Sequence, residues 1–482
     1  MNRFEPPSPA RMPWKNALRP LLIAAMLSFW GGPDSVAGDW PRFLGPHGTG
    51  VSDETGLLEQ WPKDGPPVVW NIPLGTGYSA PSVRGTRVVV HHRVKTEEIV
   101  ECLDTTTGKS QWKYAYPSRY QDPYGYNNGP RCTPLLTENR CFTYGAEGKL
   151  LCLELETGKL VWQRDTGSDW EIPQAFFGVG STPILEGNLL LVMVGGQPNA
   201  GMVAFDSATG RTEWESVGEK NWTGQPMIGW PGERTVVWQR AEKQASYSTP
   251  TAATLHGKRQ VFCLTRQGLV SLNPTNGTVN FSRWFRSTLN DSVNAMAPVV
   301  VEDQVFFSAA YYRVGSALLR VREDGTSFEE VWRSPRDLRE RDPQTGRPTT
   351  PVLEIHWSTP VYHEGFLYAF SGRNQPDARF RCVELKTGRL MWDRDESWEP
   401  YSSKTPPVYG RGSCILVDGR LITLGEGGLL GLFALNANKP EELSRFQVPT
   451  LHYPCWAAPV LSNHRLYLRS EDRLISLDLA KH

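Results

Sequence analysis

The chain has 482 residues, and its 51 Lys and Arg are balanced by 51 Asp and Glu. That neutrality argues against a partner recruited by bulk charge, nucleic acid above all. Its eight cysteines include no C-x-x-C pair and no haem-attachment pattern, which argues against zinc and c-type haem.

At the N-terminus, Arg11, Lys15 and Arg19 precede an apolar run over residues 21–30, and Ser35-Val36-Ala37 follows. A basic region, a short apolar core and small residues at a cleavage point describe a secretory leader over residues 1–37. The core is shorter than the ~20 residues of a membrane span, although an uncleaved anchor stays open. Nothing after it reads as a span, so the chain is expected to be exported to the periplasm or beyond. Residues 38–67 read as an irregular arm. The stretch Phe43-Leu44-Gly45-Pro46-His47-Gly48-Thr49-Gly50 is Gly-rich but lacks the Lys-Ser/Thr ending of a phosphate loop.

From residue 68 to 482 the chain repeats. Pro81, Pro134, Pro183, Pro250, Pro298, Pro360 and Pro459 each follow a small residue at the head of an apolar run. Gly108, Gly158, Gly210, Gly277, Gly325 and Gly388 mark later turns. The interval is about 50 residues, the size of a propeller blade. Ser413 opens one further unit without the proline, which makes eight. The second unit shows the pattern of four short strands: 131–136, Cys141-Phe142-Thr143-Tyr144, 150–155 and Leu160-Val161-Trp162-Gln163, each ended by a polar turn. Trp112, Trp162, Trp214 and Trp392 fall four residues after the glycine and are expected to dock each blade on its neighbour. Val68-Val69-Trp70-Asn71-Ile72 is a tryptophan strand without a blade, and the last unit lacks one. The N-terminal strand is therefore expected to complete the final blade, with Trp70 beside residues 474–477. Cys102, Cys152 and Cys382 occupy one equivalent position and read as small buried hydrophobes. His91 and His92 are strand neighbours pointing to opposite faces, a poor metal pair. The Arg- and Asp-rich run from Arg333 to Arg347 reads as a solvated loop.

The copy Ala204-Phe205-Asp206-Ser207-Ala208-Thr209-Gly210-Arg211-Thr212-Glu213-Trp214 resembles the signature of the pyrroloquinoline-quinone (PQQ) repeat family. Copies at Cys102–Trp112, Cys152–Trp162 and Cys382–Trp392 are in phase with it. Asp39-Trp40-Pro41-Arg42-Phe43-Leu44-Gly45-Pro46, 129–134 and 144–150 further resemble exported PQQ-like propellers of planctomycete-type bacteria. The resemblance implies an all-β, eight-bladed propeller of four-stranded antiparallel blades, like that of quinoprotein alcohol dehydrogenases. It also implies a likeness to BamB-type envelope scaffolds, which work without a cofactor. Quinoprotein dehydrogenases bind PQQ over calcium beside adjacent bonded cysteines, and this chain has no adjacent cysteines. Asp122, Asn127, Asn128, Asp291 and Asn294 carry oxygens of the kind calcium takes, but no motif assigns them that role.

The expected function is thus a binding or scaffolding module with no cofactor and no metal, its alternative a PQQ- and calcium-dependent dehydrogenase of an alcohol or sugar. Partners would be a protein, a carbohydrate or another small molecule, for a monomer or a subunit of an envelope complex. In such propellers the segment before each innermost strand faces the central channel. Candidate ligand residues there are Tyr126, Asn127, Arg131, Asn294, His356, Trp357, Arg411 and Trp456, and the blade-docking set is Trp70, Trp112, Trp162, Trp214 and Trp392.

Overall fold

The computed structural model describes residues 38–481, apart from 171, 173–175, 223–244, 288, 290–291, 336–340, 342–345, 347–349 and 399–406. The expected leader, Asp291 and most of the Arg333–Arg347 run lie outside the described residues. Eight antiparallel sheets form a ring, an eight-bladed β-propeller. Blade 2 is typical: Leu135–Leu136, Arg140–Tyr144, Lys149–Glu154 and Leu160–Asp165 pair in sequence order from the axis outward. The proline-less unit forms blade 7, starting with Ser413–Val417. In the last sheet Val68–Pro73 pairs antiparallel with Arg473–Asp478, Trp70 opposite Ser476.

A small residue faces each blade-docking tryptophan across the two outer strands: Cys102 opposite Trp112, Cys152 opposite Trp162, Ala204 opposite Trp214 and Cys382 opposite Trp392. The small partner leaves room for the indole to lean onto the next blade. Each indole N–H then donates to a main-chain carbonyl there: Trp70 to Thr105, Trp112 to Leu155, Trp162 to Ser207, Trp214 to Pro274 and Trp392 to Asn436, at 2.8–3.0 Å. For Trp70, Trp112, Trp162 and Trp214 the ring itself lies on the glycine of that blade's turn. A Cβ added to Gly210 would stand 2.7 Å from Trp162. These glycines therefore do two things, supplying a positive φ and a bare backbone surface for the neighbour's indole. Trp332 in blade 5 belongs to the same set, donating to Leu385 O at 2.7 Å.

The small residues beside the prolines have a similar task at the axis. Ser82 Oγ donates to Pro134 O, Ser181 Oγ to Ser248 O, Ser248 Oγ to Met296 O and Thr251 Oγ1 to Pro298 O. Thr182, Thr249 and Thr359 hydroxyls accept from main-chain N–H groups of the preceding blade. A hydroxyl belt thus satisfies backbone groups where inner strands are too short to pair with each other. All eight cysteines are buried free thiols.

The arm is ordered and differs from a simple lead-in. Trp40 bridges Val83 in blade 1, Pro41 O accepts from Leu136 N in blade 2, and Val51–Ser52 adds a parallel strand to the inner edge of blade 7. Further on, Leu57 bridges Ala480 beside blade 8. Trp40, Leu44, Leu57 and Trp61 are buried. The arm holds the end of the ring that carries the Thr-Gly turns, the lower face, and Phe43 reaches the axis.

Candidate functional site

Antiparallel blades place the first and third turns on the lower face, so the second turns and the blade-to-blade segments share the upper face. There they surround an axial cavity of about 210 Å³. Phe43, Ala80, Thr133, Thr182, Thr249 and Ala457 line its deep part, contributed by the arm and five blades. Tyr78, Tyr126, Phe177, Tyr247, Tyr311, Trp357 and Trp456 supply aromatic walls, and Arg131, His356 and Arg411 the polar ones. The rings meet at steep angles: Tyr78 with Trp456 at 48°, Tyr126 with Trp456 at 65° and with Phe177 at 66°, and Trp357 with Trp456 at 51°.

Two buried ion pairs set the electrostatics. Arg411 Nη2 donates to Glu426 Oε2 at 3.0 Å, and Glu426 also accepts from Arg411 N and, at 3.0 Å, from Trp456 Nε1. The Arg411 guanidinium lies 4.7 Å from the Trp357 ring centre and 5.7 Å from that of Trp456. Its Nη1 donates to His356 Nδ1 at 3.2 Å, which leaves His356 Nε2 to donate to Tyr311 Oη at 3.3 Å. Burial, then the positive charges of Arg411 and Arg373, hold His356 well below its ordinary pKa and so neutral. Across the cavity Arg131 donates to Asp122 Oδ2 at 2.7 Å, to Gly129 O and to Asn127 O, under the rings of Tyr78 and Tyr120.

Six of the eight ligand candidates therefore line one cavity: Tyr126, Arg131, His356, Trp357, Arg411 and Trp456. Asn127 and Asn294 are not among the residues that line it. Asn127 spends its Oδ1 on Gly129 N and shapes the loop. Asn294 Nδ2 donates to Thr265 O and Phe285 O, while its neighbours Val293 and Ala295 face the cavity. Sequence reasoning missed Glu426, which lies in a Gly-Glu-Gly turn that reads as generic, and Phe43. His91 and His92 bind separately, to Tyr116 and to Glu101.

The donor set bears directly on calcium and PQQ. Among the described residues no Asp or Glu lines the axial cavity. Asp122 and Glu426, the carboxylates behind it, are fully buried against arginines. No cluster of three His, Cys, Asp or Glu suited to a metal occurs among the described residues. A larger cleft of about 430 Å³ lies off the axis between blades 2 and 3, lined by Ile172, Phe176, Val179, Met193 and several glycines. Its acid, Glu147, accepts from Arg119 N.

Among solved structures the fold is similar to quinohemoprotein alcohol dehydrogenase from Comamonas testosteroni, with a TM-score of 0.60 and 14% identity over 93% of this chain and 81% of that one. BamB from Moraxella catarrhalis aligns with a TM-score of 0.53 and 13% identity over 86% and 98%. A europium-containing methanol dehydrogenase gives 0.58 and 13% over 92% and 90%. Such identities speak to fold alone. No curated protein matches the sequence. The PQQ-repeat family model described as outer membrane protein assembly factor BamB matches residues 95–341, about half the chain, a range that includes Trp112, Trp162 and Trp214. The chain belongs to that PQQ-repeat, BamB-like family.

Proposed function

We propose that this protein is an exported binding module whose axial cavity is its ligand site, with no redox chemistry of its own. One observation carries the reading: the cavity is walled by aromatic rings and guanidinium groups, and its nearby carboxylates are committed to holding those arginines. Calcium takes 6–8 oxygen ligands with carboxylates among them, and the described lining residues include no carboxylate, so they do not fit a calcium-held quinone. Alcohol oxidation also needs a group free to take the hydroxyl proton. Both His356 nitrogens are engaged, by Arg411 and Tyr311. An envelope location is supported by the family description as an outer-membrane assembly factor. No helix among the described residues is long and apolar enough to cross a membrane.

The test is purification after incubation with PQQ and calcium, followed by absorbance, mass spectrometry and a dye-linked alcohol oxidation assay. The expected result is no retained quinone and no turnover. Stoichiometric quinone with turnover would replace this reading with the dehydrogenase alternative.

A further inference from the structure

We infer that the axial cavity takes the end of an acidic saccharide, its uronate carboxylate on Arg131 and its sugar ring against Tyr126 and Trp456. This rests on the reading of the propeller as a binder and names the ligand class.

The first argument is the balance of donors and acceptors. A guanidinium has five N–H donors. Arg131 spends three, on Asp122, Gly129 and Asn127, and the others have no partner among the described residues. The Trp357 indole N–H is likewise without one. With no carboxylate among the described lining residues, the wall favours a ligand rich in oxygen acceptors. A carboxylate is the acceptor that a guanidinium fork fits best.

Charge points the same way. Asp122 and Glu426 neutralise Arg131 and Arg411, but further arginines stand close by. Arg93, buried, donates to the carbonyls of Lys95, Ser118, Tyr120 and Asn128, the last two on the loop that carries Tyr126. Arg373, whose carbonyl accepts from Arg411, lies over the rings of Tyr311 and Tyr312 at 4.4 and 4.7 Å. Among the described residues neither has a carboxylate as its immediate partner. Arg469 is buried too, against carbonyls of Ser79 and His91, with Glu471 the acid that acts on it. The low-dielectric walls leave this positive charge poorly screened, which favours an anion.

Ring geometry selects the kind of anion. A flat aromatic acid wants two parallel faces, whereas these walls tilt 48–66° to one another. A puckered sugar, with C–H groups on several sides, meets tilted walls better. About 210 Å³ suits one or two sugar rings, and Phe43 at the bottom favours a chain end over a threaded polymer. Tyr126 is 46% exposed at the mouth and within reach of the next unit.

The experiment is calorimetric titration of the full chain with trigalacturonate, its fully methyl-esterified form, and a tripeptide with a free C-terminal carboxylate, at low and high salt. Trigalacturonate is expected to bind roughly tenfold or more tightly than the ester, since the charge-assisted bond is lost on esterification. Its affinity should fall with added salt. Tyr126→Ala, at an exposed position, should weaken the acid and the ester alike. Arg131→Gln should leave the two binding equally, and because the acid–ester comparison is made on the unaltered chain, the inference survives a variant that fails to fold. Equal binding of acid and ester, no saccharide binding at millimolar concentration, or tighter binding of the tripeptide would overturn it. A chain that retains neither quinone nor saccharide would refute this inference and leave the absence of dehydrogenase chemistry standing.

Discussion

Gly210→Ala separates the two duties assigned to the turn glycines. Gly210 has φ +72°, and a Cβ there would stand 2.7 Å from the Trp162 ring. Gly187, in the same blade, has φ +61° and nothing within 4 Å of the equivalent Cβ. Both alanines carry the backbone cost of a left-handed conformation, about 1–2 kcal/mol. Only Gly210→Ala must also displace a ring that is 8% exposed and anchored to Ser207 O at 2.9 Å. Overpacking of that kind costs about 1–3 kcal/mol more. Urea unfolding should place Gly210→Ala below Gly187→Ala by that difference. The Trp162 indole N–H should lose hydrogen-exchange protection in the first variant alone. Trp162→Leu should cost less in the Gly210→Ala background than in the parent, because the collision has already loosened the ring. Equal midpoints with an equally protected indole would refute the docking argument.

Other outcomes follow from buried groups. Burial lifts the Glu354 carboxyl from 4.5 to about 7, against the opposing pull of Arg313 and Arg381. The folded state then holds a proton that the unfolded chain releases, so stability falls as pH rises from about 4.5 to about 7, by at most about 3 kcal/mol. Glu354→Gln should flatten that slope and gain on the parent at pH 8 but not at pH 4.5; parallel pH profiles would sink the assignment. Glu426→Gln strands the Arg411 charge and should cost about 3–5 kcal/mol, read by thermal melting and a red shift of tryptophan emission. An unchanged melt would show that the pair is not buried in solution. A thiol reagent should find no reactive cysteine in the native chain and all eight after urea, since burial both shields them and raises their pKa values. One rapid native equivalent would contradict that packing.

The architecture was legible because turns are stereochemically strict. Proline at a strand head and glycine at positive φ are few-residue solutions, so they recur visibly even when the strands between them drift. Trp332 escaped because it lies seven residues after Gly325, in a blade whose turn runs through Asp324, Thr326 and Ser327 rather than Asp/Glu-x-x-Thr-Gly. Of the site, the aromatic and arginine members were readable from one ring position repeated in several blades. The orientation of Asn127 and Asn294 was not, since an amide next to a channel is as useful to its own loop as to a ligand. Nor could the chain alone reveal the hydroxyl belt or Phe43 on the axis. Both depend on which residues of different blades end up adjacent, and no local pattern encodes that.

The hydroxyl belt, the indole contacts and the turn glycines all repeat from blade to blade, and the indole contacts gather at the lower rim. The blade-to-blade connections differ widely in sequence length: Pro117 to Leu135 is modest, while Ser216 to Thr251 and Ser334 to Val361 are long. The molecule thus separates a repeated chassis from a customisable deck. Loops grafted or lengthened on that deck would change what is recognised while leaving the load path around the wheel intact, a practical opening for redesign.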